Sequence, residues 1–145
     1  MVIREIDSFT DAQLADLGVL MNQLSDHVVL TRAGLSEMLR GEGNHLYVVM
    51  DGERIVGCAS LCLFISPTGR KASVEDVVVL ADYRGQHLGK QLVEYVLNDA
   101  KRFSPIKLQL TSRPSRVAAN HLYRSVGFQL RETNCYGWEI KDILE

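Results

Sequence analysis

Residues Val74 to Asn98, reading V-E-D-V-V-V-L-A-D-Y-R-G-Q-H-L-G-K-Q-L-V-E-Y-V-L-N, run an apolar strand through a short Gly-containing loop directly into an amphipathic helix. Val77, Val78 and Val79 are apolar without alternation, so this strand is expected to be covered on both faces. Leu88, Leu92, Val96 and Ala100 recur every four residues, with Val93 and Leu97 widening the stripe, so the helix should pack on a sheet and end before Pro105. Ile106, Leu108 and Leu110 alternate with Lys107 and Gln109 and predict the next strand. A strand, helix, strand unit of this kind is normally a parallel, right-handed crossover.

The same junction is where a phosphate would sit. In Arg84-Gly85-Gln86-His87-Leu88-Gly89, two glycines let backbone N–H groups approach an anion. The loop opens a helix whose free N–H groups and dipole favour negative charge. Arg84 and Lys90 add cations on either flank. Neither familiar nucleotide loop fits. A Walker-type loop needs four residues between its first Gly and the Gly-Lys pair, then Ser or Thr for magnesium. Here Gly85 and Gly89 enclose three, and Gln91 follows Lys90. A dinucleotide fingerprint needs G-x-G-x-x-G, and this loop has no glycine at the second position.

The rest of the chain is patterned around this unit. Val2 to Ile6 alternates as a first strand, and Leu14, Leu17, Met21 and Leu24 recur at helical spacing. Thr31 is a candidate cap for a second helix through Arg40, which leaves Asn22 to Thr31 as a surface connection. His45 to Met50, Arg54 to Ile65 and Ala72 to Leu80 predict three consecutive antiparallel strands, turning at Asp51-Gly52-Glu53 and Pro67-Thr68-Gly69. Ser115 is a candidate N-cap for a helix over residues 116–126, with Gly127 at its left-handed end. Phe128 to Glu132 and Asn134 to Lys141 predict a closing pair of strands. With no linker, repeat or low-complexity tract, the 145 residues are expected to form one domain, 1–145.

Bulk properties exclude several classes. With 16 basic against 18 acidic residues and a pI near 6.1, the chain lacks the electrostatic footprint of a general nucleic-acid binder. The N-terminus carries charge and no apolar core of a signal peptide, and no apolar run approaches the ~18 residues of a membrane span. Cys58, Cys62 and Cys135 are odd in number and scattered, so reduced cytoplasmic thiols are expected, with Cys135 a buried small residue. No His/Cys cluster has metal-ligand spacing, so no metal is expected.

The spacing of the loop resembles the [Q/R]-x-x-G-x-[G/A] pyrophosphate loop of the GNAT superfamily of acyl-CoA N-acyltransferases, with His87 in place of the usual first glycine. V-E-D-V-V-V followed by R-G-x-x-L-G-K is most similar to the glucosamine-phosphate N-acetyltransferase branch. A second stretch, Arg116-Val-Ala-Ala-Asn120-His-Leu-Tyr123-Arg-Ser-Val-Gly127-Phe128, is similar to the N-x-x-[FY]-Y-x-x-x-G-F signature of the same superfamily. The resemblance spans nearly the whole chain and implies an α/β (α+β) fold: a mixed, mostly antiparallel sheet of about seven strands, about four flanking helices and a splayed parallel strand pair. It also implies acetyl-CoA as co-substrate, with its pantetheine arm in the splay, and an N-acetyltransferase acting on a primary amine by direct attack. A homodimer through the last strands is a further family-level expectation.

The resemblance assigns roles to named residues. Arg84, Gly85, Gln86, His87, Leu88, Gly89 and Lys90 would hold the pyrophosphate, and Val77, Val78 and Val79 would bond the pantetheine along the strand. Backbone N–H groups near Val78 would polarise the thioester carbonyl. Tyr123 would protonate the departing thiolate, as a phenol of ordinary pKa near ~10 can at neutral pH. Asn120, three residues earlier and so on the same helix face, would hold the pantetheine or the helix in position.

A base must still take a proton from the ammonium. Glu75 and Asp76 qualify; as neighbours on a strand they point to opposite faces, so at most one meets the substrate, and Glu75 is favoured. Asp26, His27 and Trp138 are the leading substrate-binding candidates, with Arg32, Tyr136 and His121 behind them. A small-molecule amine is the expected partner. The alternative class is an acyl-CoA-binding or sensing domain that keeps the loop without turnover; a nucleotide-hydrolysing domain is disfavoured by the missing Ser or Thr after Lys90.

Overall fold

The computed structural model describes residues 1–142. Strand β1 (Val2–Ile6) leads through Thr10 into helix α1 (Asp11–Leu24), and Thr10 and Gln13 close a reciprocal capping box. Helix α2 (Arg32–Arg40) starts where Thr31 Oγ1 accepts from Gly34 N at 3.0 Å, as the sequence predicts. Because α1 continues to Leu24, the connection before α2 is shorter than expected and begins at Ser25.

Strands β2 (Asn44–Asp51), β3 (Arg54–Ser66) and β4 (Gly69–Val79) form the antiparallel meander read from the pattern. Gly52 takes φ 59° in the first turn and Gly69 φ 120° in the second, where a side chain would be strained. A turn of 3₁₀ helix (Ala81–Tyr83) and the Arg84–His87 loop lead into α3 (Leu88–Ala100). After a second such turn, strand β5 (Lys107–Gln109) pairs parallel to β4, and α4 (Val117–Ser125) follows. The sheet order is β1-β2-β3-β4-β5.

Each face of the sheet carries its own core. Tyr47, Val49, Val56, Ala59, Leu61, Ala72 and Val74 pack against Leu88, Leu92, Val96 and Ala100 of α3. Leu46, Val48, Met50, Ile55, Cys58 and Val78 pack against Leu17, Leu20 and Leu35 of α1 and α2. Val77 and Val79 lean on the α3 side and Val78 on the α1 side, so the unbroken valine run is apolar for the reason inferred. Beyond the packing, a polar clamp holds the end of α3: Tyr47 Oη donates to Asp99 Oδ2 at 2.5 Å, and Arg102 Nη2 donates to Glu5 Oε1 at 2.6 Å and to Asp99 Oδ2 at 3.0 Å.

The closing strand pair is a correction. Residues 128–142 form no strand, so the described residues make a five-stranded sheet rather than one of about seven. Alternation yields a strand only where an edge and an apolar face await it, and β5 is paired over just three residues. Leu130, Tyr136, Trp138 and Ile140 meet no such face and stand 84–95 % exposed. Among the described residues, no helix is long and apolar enough to cross a membrane.

Candidate active site

The parallel pairing of β4 with β5 stops after Lys71↔Lys107, Ala72↔Leu108 and Ser73↔Gln109. From Val74 onward the β4 edge that faced β5 is open, and a cavity of about 950 Å³ lies along it. Its wall runs from Val74 to Val78 on β4, over Arg84, to Leu110–Arg113, Arg116 and Tyr123; Gln23 to His27 close the other side.

The phase of β4 decides which backbone groups the cavity meets. Leu80 N donates to Val56 O at 2.8 Å and Val78 lies opposite Cys58, so the amides of Val78 and Leu80 face β3 and that of Val79 faces the opened edge. Of the N–H groups near Val78, it is that of Val79 that is turned toward the opening; the Val78 side chain packs in the core on the α1 side.

Beyond β4 the loop leads to the start of α3. Gly85 has φ 81°, and His87, in the left-handed region at φ 59°, is the N-cap of α3. His87 makes no side-chain cap bond, and the first intrahelical bond runs from Gln91 N to His87 O at 3.0 Å. The N–H groups of Leu88, Gly89 and Lys90 therefore have no intrahelical acceptor, which is the arrangement that receives a phosphate. The φ at His87 shows why glycine suits this position in the family pattern. Gly89 lies in the first turn of α3, where a Cβ would come within 3.1 Å of Leu122 Cδ1 on α4. Its small size seats α4 beside the loop.

Tyr123 lies on α4, 8 % exposed, with its ring edge-on to Phe128 at 6.0 Å. Its hydroxyl has no hydrogen-bond partner among the described residues, and the ring lines the cavity. Burial pushes the phenol above its ordinary pKa, with the Arg116 guanidinium opposing. The Asn120 amide donates to Arg113 O at 2.9 Å and to Arg116 O at 2.8 Å, so it ties down the turn that carries those two arginines. Asn120 lines a second cavity of about 550 Å³, behind β5, rather than the larger one. Leu110, Thr111, Ser112 and Tyr123 form the wall between the two.

The carboxylates depart from the strand rule. Register slips between Cys58 and Ser60, and Asp76, opposite the slip, takes φ 52°. The bulge interrupts simple alternation, and Glu75 and Asp76 both line the cavity. Ser73 Oγ donates to Glu75 Oε1 at 2.6 Å. The Asp76 carboxyl has no hydrogen-bond partner among the described residues, and desolvation, then the Glu75 charge, raises its pKa above the usual carboxylate range.

The remaining candidates divide. Asp26 and His27, 3.3 Å apart, stand on the cavity rim. Trp138 lines neither cavity and is almost wholly in solvent, and Arg32 is paired with Asp11 over the Phe9 ring. Cys135 is exposed rather than buried, and all three cysteines are free thiols. Gln23, Arg113 and Ser112 were not singled out from sequence. Ser112 Oγ is the one buried side-chain polar atom without a partner among the described residues. Nothing in the local pattern marks these three; they matter through where the fold puts them.

The model of the acetyltransferase (GNAT) family matches residues 12–128, and the chain belongs to that family. Among solved structures it is similar to an acetyltransferase from Trypanosoma brucei, at 25 % identity over 95 % of this chain and 100 % of that one, TM-score 0.76. Glucosamine-6-phosphate N-acetyltransferase from Arabidopsis thaliana aligns at 18 % identity over 95 % and 99 %, TM-score 0.73. An aminoglycoside N-acetyltransferase in complex with CoA aligns at 17 % identity over 97 % and 100 %, TM-score 0.74.

Proposed function

We propose that this acetyltransferase, working as one domain over residues 1–145, moves the acetyl group of acetyl-CoA onto a primary amine of a small molecule by direct attack. The observation that carries the reading is one cavity lined by the open β4 edge, by Tyr123 and by Arg84, the first residue of the loop that leads to the uncapped start of α3. The diphosphate rests on the N–H groups of Leu88 to Lys90 with Arg84 beside them, and the pantetheine arm adds to β4 at Val79. Asp76, carrying the raised pKa, takes the ammonium proton, while Glu75, oriented by Ser73, holds the amine. The freed nitrogen forms the new C–N bond, the C–S bond breaks, Tyr123 gives its proton to the departing thiolate, and the second proton shed by the acylated nitrogen restores the phenol.

Neighbours that act on amino sugars and aminoglycosides support a small acceptor, and free thiols suit a cytoplasmic setting. An amine panel scored by thiol release from acetyl-CoA, beside calorimetric titration of acetyl-CoA, tests the reading. Release with at least one amine is expected. Tight binding with no release across the panel would instead establish a sensing domain, and no binding would remove both.

The unpaired outer edge of β5 and the exposed alternation of Tyr136, Trp138 and Ile140 support a homodimer in which these segments meet. A sedimentation mass of two chains, reduced to one by Trp138→Lys with Ile140→Lys, is the expected result; a monomeric wild type would end the dimer proposal.

A further inference from the structure

Gln23 lies on the last turn of α1, yet both ends of its side-chain amide are bound to backbone more than fifty residues away. Nε2 donates to Val79 O at 2.8 Å, and Oε1 accepts from Ala81 N at 3.0 Å. A carbonyl and an N–H two residues further on are the pair that one residue of a parallel neighbour would engage on its partner strand. The Gln23 amide therefore stands in for the strand that the splay removes, at the end of the open edge nearest the phosphate loop.

We infer that Gln23 is a positioning residue for the acyl-CoA cofactor, a proposal that rests on the acetyl-CoA reading of the cleft. Three features argue for it. Val79 is the residue whose amide faces the opened edge, so the Gln23 bond to its carbonyl fixes the peptide that follows and, with the bond to Ala81, the end of the strand, while the Val79 N–H stays free for the cofactor. Ala81 opens the 3₁₀ turn that ends at Arg84, so the bond to its N–H anchors the root of the phosphate loop. Gln23 itself lines the cavity, and the connection carrying Asp26 and His27 starts two residues later. One side chain thus joins the strand that takes the arm, the loop that takes the diphosphate and the rim that meets the acceptor.

The fold supplies its own control. Asp16, two turns earlier on α1, grips the sheet in a similar way, its Oδ2 accepting from Ile55 N at 3.0 Å, but Asp16 lies outside the cavity. Gln23→Met, Gln23→Glu and Asp16→Ala are compared with wild type by thermal midpoint and by calorimetric titration of acetyl-CoA. The Glu variant keeps the shape and an acceptor for Ala81 but opposes the Val79 carbonyl, and it guards against a failure of the Met variant to fold. All three are expected to lose some thermal stability. Only the Gln23 variants are expected to weaken acetyl-CoA binding, by about ten-fold. Unchanged affinity in folded Gln23 variants, or an equal loss in Asp16→Ala, overturns the positioning role while leaving the cofactor reading intact. Absence of binding by the wild type removes the cofactor reading, and this proposal with it.

Discussion

Tyr123→Phe is expected to lower kcat by about 10²- to 10⁴-fold while the KM for acetyl-CoA moves by no more than about two-fold. The Phe ring keeps the edge-on contact with Phe128 and the burial of α4, so the variant loses a proton and little packing. A group that acts only when the C–S bond breaks contributes to the transition state and not to ground-state binding. The pH profile adds a second check. A general acid must be protonated, and burial holds this phenol above its ordinary value, so the Tyr123-dependent part of the rate should persist until the pH exceeds the usual phenol range. Equal turnover by wild type and Tyr123→Phe, measured with saturating acetyl-CoA, would show that the thiolate takes its proton from elsewhere.

Asp76→Asn is expected to reduce kcat/KM for the amine by a comparable factor, about 10²- to 10⁴-fold, and Glu75→Gln by less. The two carboxylates share one bulge, and the Glu75 charge is one of the two causes that raise the Asp76 pKa. The sign follows from which form works. A base must be deprotonated, so the rate falls as pH drops through the Asp76 pKa, which lies above the ordinary carboxylate range. Glu75→Gln removes a negative neighbour, which should move that acid limb to lower pH. Asp76→Asn should abolish the limb along with most of the activity. If Glu75→Gln instead removes the limb and Asp76→Asn only displaces it, the roles are reversed and Glu75 is the base.

These roles could be approached from sequence only as far as local rules reach. The valine run, the helix stripe on Leu88 to Ala100 and the Thr31 cap report short-range physics, and each is found where the pattern puts it. The backbone conformation at Glu75 and Asp76 was not legible because a bulge is a property of two paired strands. Nothing in V-E-D-V announces that Ala59 will face an extra residue. The closing strands failed for the opposite reason: Tyr136, Trp138 and Ile140 have the right alternation, but a strand exists only with a partner edge.

By itself the sequence determined the order of elements from β1 to α4, the apolar faces that make each helix lie on the sheet, and the strand–loop–helix junction with its free N–H groups. Hydrophobic periodicity and glycine conformation act within a few residues, so they are written in the chain. The tertiary structure alone decided that β4 and β5 part after Ser73, that Tyr123 faces the gap so formed, and that Gln23 occupies the place of the missing strand. Those are relations between residues tens of positions apart, and only packing of the whole sheet against its helices brings them together.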